Sequence, residues 1–90
     1  MRDNKKKRSR IEIIADILKY LDNNGCSRPT RMSTALNLSY DKLMDYVKEL
    51  AAKGMIEANI EGICITSRGL QFLREYIKWS SFAKSFGIDI

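Results

Sequence analysis

Along residues 10–23 the apolar positions Ile14, Ile17, Leu18 and Leu21 recur three and four apart, the interval that lines one face of an α-helix. Ser9 and Glu12 stand at its head in the S-x-x-E spacing of a capping box, where the serine oxygen and the glutamate side chain satisfy amides orphaned at a helix start. The turn residues of DNNGC end this helix. Ser27 and Pro29 predict a second start, the serine as cap and the proline in the first turn, and a short helix through about Leu36. Ser39 is placed to cap a third helix in which Leu43, Tyr46, Val47 and Leu50 share a face, and Gly54 ends it.

Beyond Gly54 the period drops from near four to two. MIEAN and GICIT are short strands separated by a turn with Gly62 in or beside it. In the second strand Cys64 alternates with Ile63 and Ile65, which predicts the opposite face of the strand and a place near the surface. Thr66 or Ser67 then caps a last helix running to about Ser85. The fold class is mainly α with a small β-hairpin. Its order of three helices, hairpin and helix is that of a winged helix-turn-helix.

The chain has the size of one small domain, and 44% apolar with 30% charged residues describes a globular sequence that folds. Its charge is uneven. Residues 1–10 carry Arg2, Lys5, Lys6, Lys7, Arg8 and Arg10 against Asp3, which accounts for the whole net charge of +5. A block of this kind marks either a solvated tail or a nucleic-acid-binding arm. The expected organisation is therefore a basic flexible arm over 1–8, a winged helix-turn-helix domain over 9–66, and a C-terminal dimerisation helix and tail over 67–90.

Glu12, Asp16 and Lys19 interrupt the apolar residues after the basic start, which predicts no secretory or membrane-spanning segment and a cytoplasmic protein, nucleoid-associated if the basic block is a nucleic-acid-binding arm. Cys26 and Cys64 stand far apart, with no histidine and no C-x-x-C pair, so the expectation is two free thiols and no metal. No cofactor and no small-molecule substrate are implied. An enzyme is not expected either, since the chain has no glycine-rich phosphate loop, no evident acid pair and no base beside either cysteine.

RSRIEIIADILKYL, NLSYDKLMDYVKELAAKGMIE and GICITSRGLQFL resemble the small archaeal winged helix-turn-helix DNA-binding proteins, over roughly residues 8–75. The resemblance implies double-stranded DNA as partner and a homodimer held by a C-terminal helix in an antiparallel coiled coil.

The third helix carries Asp41, Asp45 and Glu49 against Lys42 and Lys48, a face with no long-range pull on phosphates. Asp41 suits the positive end of the helix dipole, and Glu49 can pair with Lys53 at i,i+4. That leaves Ser39, Tyr40 and Lys42, at the end of the helix that enters the major groove, as candidates for touching bases. Tyr40 can equally pack on the second helix. Arg28 and Arg31 suit phosphates, or a solvated surface. Glu57, Asn59 and Glu61 make the wing a poor phosphate contact. Affinity would then come from the arm: neutralising about five phosphates gives a slope of log K against log salt near −4.5, roughly a 500-fold loss from 50 to 200 mM.

In the last helix Phe72, Tyr76, Trp79, Ala83 and Phe86 are spaced as a heptad seam, with Leu70, Leu73 and Ile77 on a neighbouring face suited to the domain's own core. The seam predicts a homodimer. A fold-back into the core and, for Trp79, Phe82 and Phe86, a membrane interface are the other readings. The leading functional expectation is a dimeric DNA-binding protein, either transcription regulator or chromatin-like architectural factor, and the alternative is a winged-helix protein-interaction module.

Overall fold

The computed structural model describes residues 8–88. The chain forms α1 (Arg10–Asn24), α2 (Pro29–Leu36), α3 (Tyr40–Ala52), β1 (Ile56–Asn59), β2 (Gly62–Ile65) and α4 (Ser67–Ser85).

The helix starts are set largely by the expected side chains. The Ser9 amide donates to Glu12 Oε1 at 2.7 Å while the Glu12 amide donates to Ser9 Oγ at 3.2 Å, which completes the capping box. Ser39 accepts from the Lys42 amide, and Thr66 from the Gly69 amide. At α2 the expectation is corrected: the cap position is Arg28, without a side-chain bond, because the Ser27 hydroxyl donates instead to the Gly25 carbonyl. The α3 end closes by paired bonds, Gly54 amide to Ala51 carbonyl and Met55 amide to Leu50 carbonyl.

Ile17, Leu18 and Leu21 of α1, Met32 of α2, and Leu43 and Leu50 of α3 are fully buried, and Ile56, Ile63 and Leu73 close the core from the hairpin and α4. Ile14 is only half-buried, whereas Ile13 and Ala15 are buried. The α4 helix packs along α1, and its first turn is fastened to the end of α3. Thr66 Oγ1 donates to the Gly54 carbonyl at 2.6 Å, Arg68 Nε donates to the Lys53 carbonyl at 2.8 Å, and Gly69 lies so close to the Met55 carbonyl that a Cβ there would collide with it.

The hairpin pairs Ile56 with Ile65 and Asn59 with Gly62, the turn being held by the Glu61 amide donating to Asn59 Oδ1 at 2.8 Å. A third stretch of backbone joins it. Ser27 and Ile63 exchange both amide-to-carbonyl bonds, at 2.9 and 2.8 Å, so the α1–α2 connection lies antiparallel along β2. That register sets Cys26 opposite Cys64, with Cα atoms 4.3 Å apart, and the two form a disulfide. The expectation of free thiols is thereby overturned. Cys64 is also buried rather than near the surface, since the Cys26–Ser27 backbone covers the side of the strand that a lone hairpin would leave open.

Candidate nucleic-acid interface

The end of α2 and the start of α3 are joined by Asn37–Ser39. Asn37 takes a left-handed conformation at φ 57, which asparagine tolerates, and the Leu38 amide returns to the Ser33 carbonyl at 3.0 Å. The turn leaves the first residues of α3 outward. Ser39, Asp41 and Lys42 are exposed, and Tyr40 is 49% exposed, which favours the outward reading over packing on α2.

Further along α3 the outer face is occupied by the protein's own arginine. Arg10 Nη2 donates to Glu49 Oε1 at 2.8 Å and Oε2 at 2.7 Å, and its guanidinium lies 5.4 Å from the centre of the Tyr46 ring. The expected Glu49–Lys53 pair is present at 3.4 Å on the same carboxylate. The hydrogen bond from Arg10, outweighing partial desolvation, holds the Glu49 carboxyl below its ordinary value, and Glu49 in turn raises Arg10. Arg10, Lys42, Asp45, Tyr46 and Glu49 together line a cleft of about 180 Å³. Asp45, which has no evident role in the sequence, thus shares a cleft with two cations.

Arg8 is held as well. Its Nη1 donates to Asp16 Oδ2 at 2.9 Å and its Nη2 to the Leu36 carbonyl at 2.9 Å, tying α1 to the last turn of α2. The basic arm expected over 1–8 is therefore corrected at Arg8, and the six-cation block over 1–10 at Arg10 as well. Both belong to the body, because carboxylates of α1 and α3 stand within bonding reach of their forks. Arg2, Lys5, Lys6 and Lys7 lie outside the described residues.

Arg28 and Arg31 are exposed one turn apart at the start of α2. They line a groove of about 250 Å³ with Tyr20, Asn24, Cys26 and Ser27, and neither forms an ion pair with a carboxylate of the described residues. On the hairpin, Glu57, Asn59 and Glu61 are exposed and Ile60 at the tip is 90% exposed.

The α4 row divides. Phe72 and Tyr76 are half-buried on the subunit's own core and Ala83 is 6% exposed, whereas Trp79 and Phe86 stand outward at 57% and 67%. Phe82, outside the expected seam, joins them at 62% exposed, its ring 5.0 Å from that of Phe86 and edge-on to it. Of the residues expected to serve the core, Leu73 is buried and Leu70 half-buried, but Ile77 is 45% exposed. Burial first, then the negative charges of Glu12 and Asp16, raise the Tyr76 phenol above its ordinary value, which marks how closely α4 lies on the start of α1. No helix among the described residues is long and apolar enough to cross a membrane, and no group of three or more acids or cysteines among them could hold a metal ion.

A helix-turn-helix followed by a hairpin wing defines the class of protein. The chain matches the winged helix-turn-helix family model over residues 7–84 and belongs to that family. Among solved structures it is similar to the hypothetical protein SSo2273 from Sulfolobus solfataricus, with a TM-score of 0.67 at 24% identity, over 91% of this chain and 68% of that one. At that identity the likeness is one of fold. No curated protein matches the chain.

Proposed function

We propose that the protein binds double-stranded DNA as a homodimer, as a transcription regulator or a chromatin-like architectural factor. The observation that carries this reading is the outward start of α3: Ser39, Tyr40 and Lys42 stand exposed at the end of the helix that such folds insert into the major groove. Arg28 and Arg31, exposed at the start of α2, suit flanking phosphates. With Arg8 and Arg10 engaged by carboxylates, the arm's grip falls to Arg2, Lys5, Lys6 and Lys7. Four phosphates neutralised by one arm contribute about −3.6 to the slope of log K against log salt, roughly a 150-fold loss from 50 to 200 mM for each arm engaged.

The dimer rests on Trp79 and Phe82 of α4 and Phe86 just beyond its end, three exposed aromatic side chains. Exposed aromatics clustered this way are rare on a monomer and typical of interface anchors. The acidic hairpin favours a second reading, a protein-interaction module, because Glu57 and Glu61 repel phosphates where a wing would meet them.

Titrating duplex DNA at several salt concentrations with the full chain and with residues 1–7 removed tests the proposal. The truncation stops at residue 7 because Arg8, Ser9 and Arg10 are structural. The truncated chain should bind more weakly, and its slope should be shallower than the full chain's by about 3.6 for each arm engaged. Absence of binding by both leaves the interaction module.

A further inference from the structure

We propose that Cys26 is a modification site, the sulfur at which anionic low-molecular-weight thiols attack the Cys26–Cys64 disulfide. The inference stands apart from the DNA reading.

The two sulfurs of the bridge sit in unlike surroundings. Cys26 is exposed and lines the groove of about 250 Å³ beside Tyr20 and Asn24, whereas Cys64 is 8% exposed and does not reach that groove. An attacking thiolate must approach a sulfur it can touch, so access selects Cys26. Arg28 and Arg31 line the same groove, and neither pairs with a carboxylate of the described residues. Their charge concentrates anions at that sulfur and favours a thiol that also carries carboxylates over one that carries an amine. On the far side of the bond, the Asn59 side-chain amide donates to Cys64 Sγ at 3.5 Å. That donor stabilises negative charge as it develops on Cys64, which makes Cys64 the better leaving group.

The step balances without a further reagent. The incoming thiolate sulfur bonds to Cys26 Sγ, the Cys26–Cys64 bond breaks, and its electron pair leaves on Cys64 Sγ as a thiolate beside Asn59. The product is a mixed disulfide at Cys26; a second thiol attacking the adduct's own sulfur would release the dithiol protein and the thiol's symmetrical disulfide. The two backbone bonds between Ser27 and Ile63 do not involve the sulfurs, so the loop stays on β2 through the exchange.

The test uses the full chain purified without reductant and three probes: reduced glutathione, 2-mercaptoethanol and cysteamine. Free thiols are trapped with N-ethylmaleimide at early times, and the adduct is placed by peptide mass spectrometry. The expected result is adduct on Cys26 with maleimide on Cys64, formed about fivefold faster per thiolate by glutathione than by cysteamine at low salt. That preference should shrink in high salt and vanish in the Arg28→Gln/Arg31→Gln double variant, whose changes lie on exposed side chains. Asn59→Ala should raise the share of adduct on Cys64. Adduct chiefly on Cys64 in the unaltered chain, rates indifferent to the charge of the thiol, or two cysteines open to maleimide before any thiol is added would each overturn the proposal.

Discussion

Arg10 and Glu49, 39 residues apart, are joined by two hydrogen bonds from one guanidinium nitrogen to both carboxylate oxygens. The contact fastens the start of α1 to the outer face of α3. Because Arg10 holds the Glu49 carboxyl below its ordinary value of 4.5, the folded chain binds that proton less readily than the unfolded one. The stabilisation is therefore complete above about pH 4.5 and is lost as the pH falls through the lower folded value. Thermal unfolding followed by circular dichroism from pH 6 to 3 should show a falling midpoint. Glu49→Gln should lower the midpoint at pH 6 and flatten its fall below pH 4.5; an unchanged profile in that variant would show that the pair contributes nothing.

A side chain at Gly62 meets backbone that cannot yield. Its φ is 118, and a Cβ would lie 2.5 Å from the Ser27 carbonyl oxygen, which accepts the Ile63 amide. Gly62→Ala should destabilise the fold by more than about 1 kcal/mol, read as a lower urea midpoint with an unchanged slope. Gly87→Ala is the control, since it has a positive φ of 78 but nothing within 4 Å of a Cβ. A loss at Gly62 no greater than at Gly87 would place the cost in φ alone and remove the close approach to Ser27 from the account.

These two sites also mark where the sequence stops being legible. Helix starts are written in neighbours, and Ser9 with Glu12, Ser39 with Lys42 and Thr66 with Gly69 do what their spacing predicts. The core face of α3 follows from periodicity in the same way, and that of α1 does so at Ile17, Leu18 and Leu21 but not at its start, where Ile13 is buried and Ile14 only half-buried. The pairing of Ser27 with Ile63 and of Arg10 with Glu49 has no local signature, because each depends on where a remote element comes to rest. The disulfide follows from the first of those pairings, and the shortening of the arm from the second. On α4 the heptad spacing was visible, but its division was not. Phe72 and Tyr76 turn inward against the subunit's core, whereas Trp79, Phe82 and Phe86 stand outward, a division that depends on how α4 lies on the rest of the domain.

Reducing the Cys26–Cys64 bridge opens a loop of 38 residues that contains both α2 and α3. The loop-closure entropy returned to the unfolded chain corresponds to about 4 kcal/mol. Chemical denaturation with and without reductant should differ by an amount of that order. Far-UV circular dichroism before unfolding should be unchanged, because Ser27 and Ile63 still exchange their backbone bonds. Equal midpoints would mean that the bridge does not constrain the unfolded state.

Trp79 is the only tryptophan, and at 57% exposure in the isolated subunit it reports directly on the aromatic face of α4. In a dimer formed through Trp79, Phe82 and Phe86 its indole leaves water, so its emission should shift to the red on dilution as monomer appears. Sedimentation over the same concentrations should show the mass halving. Trp79→Ala, and separately Phe82→Ala, should yield monomer, since truncating a central aromatic anchor commonly costs 2 kcal/mol or more, about thirtyfold in affinity. Neither residue belongs to the subunit's core, so melting extrapolated to low concentration should be little altered. Phe72→Ala should behave differently: its ring packs against that core, and its loss should lower the stability of the subunit itself. A mass unaffected by dilution and by both outward variants would assign the aromatic face to another partner.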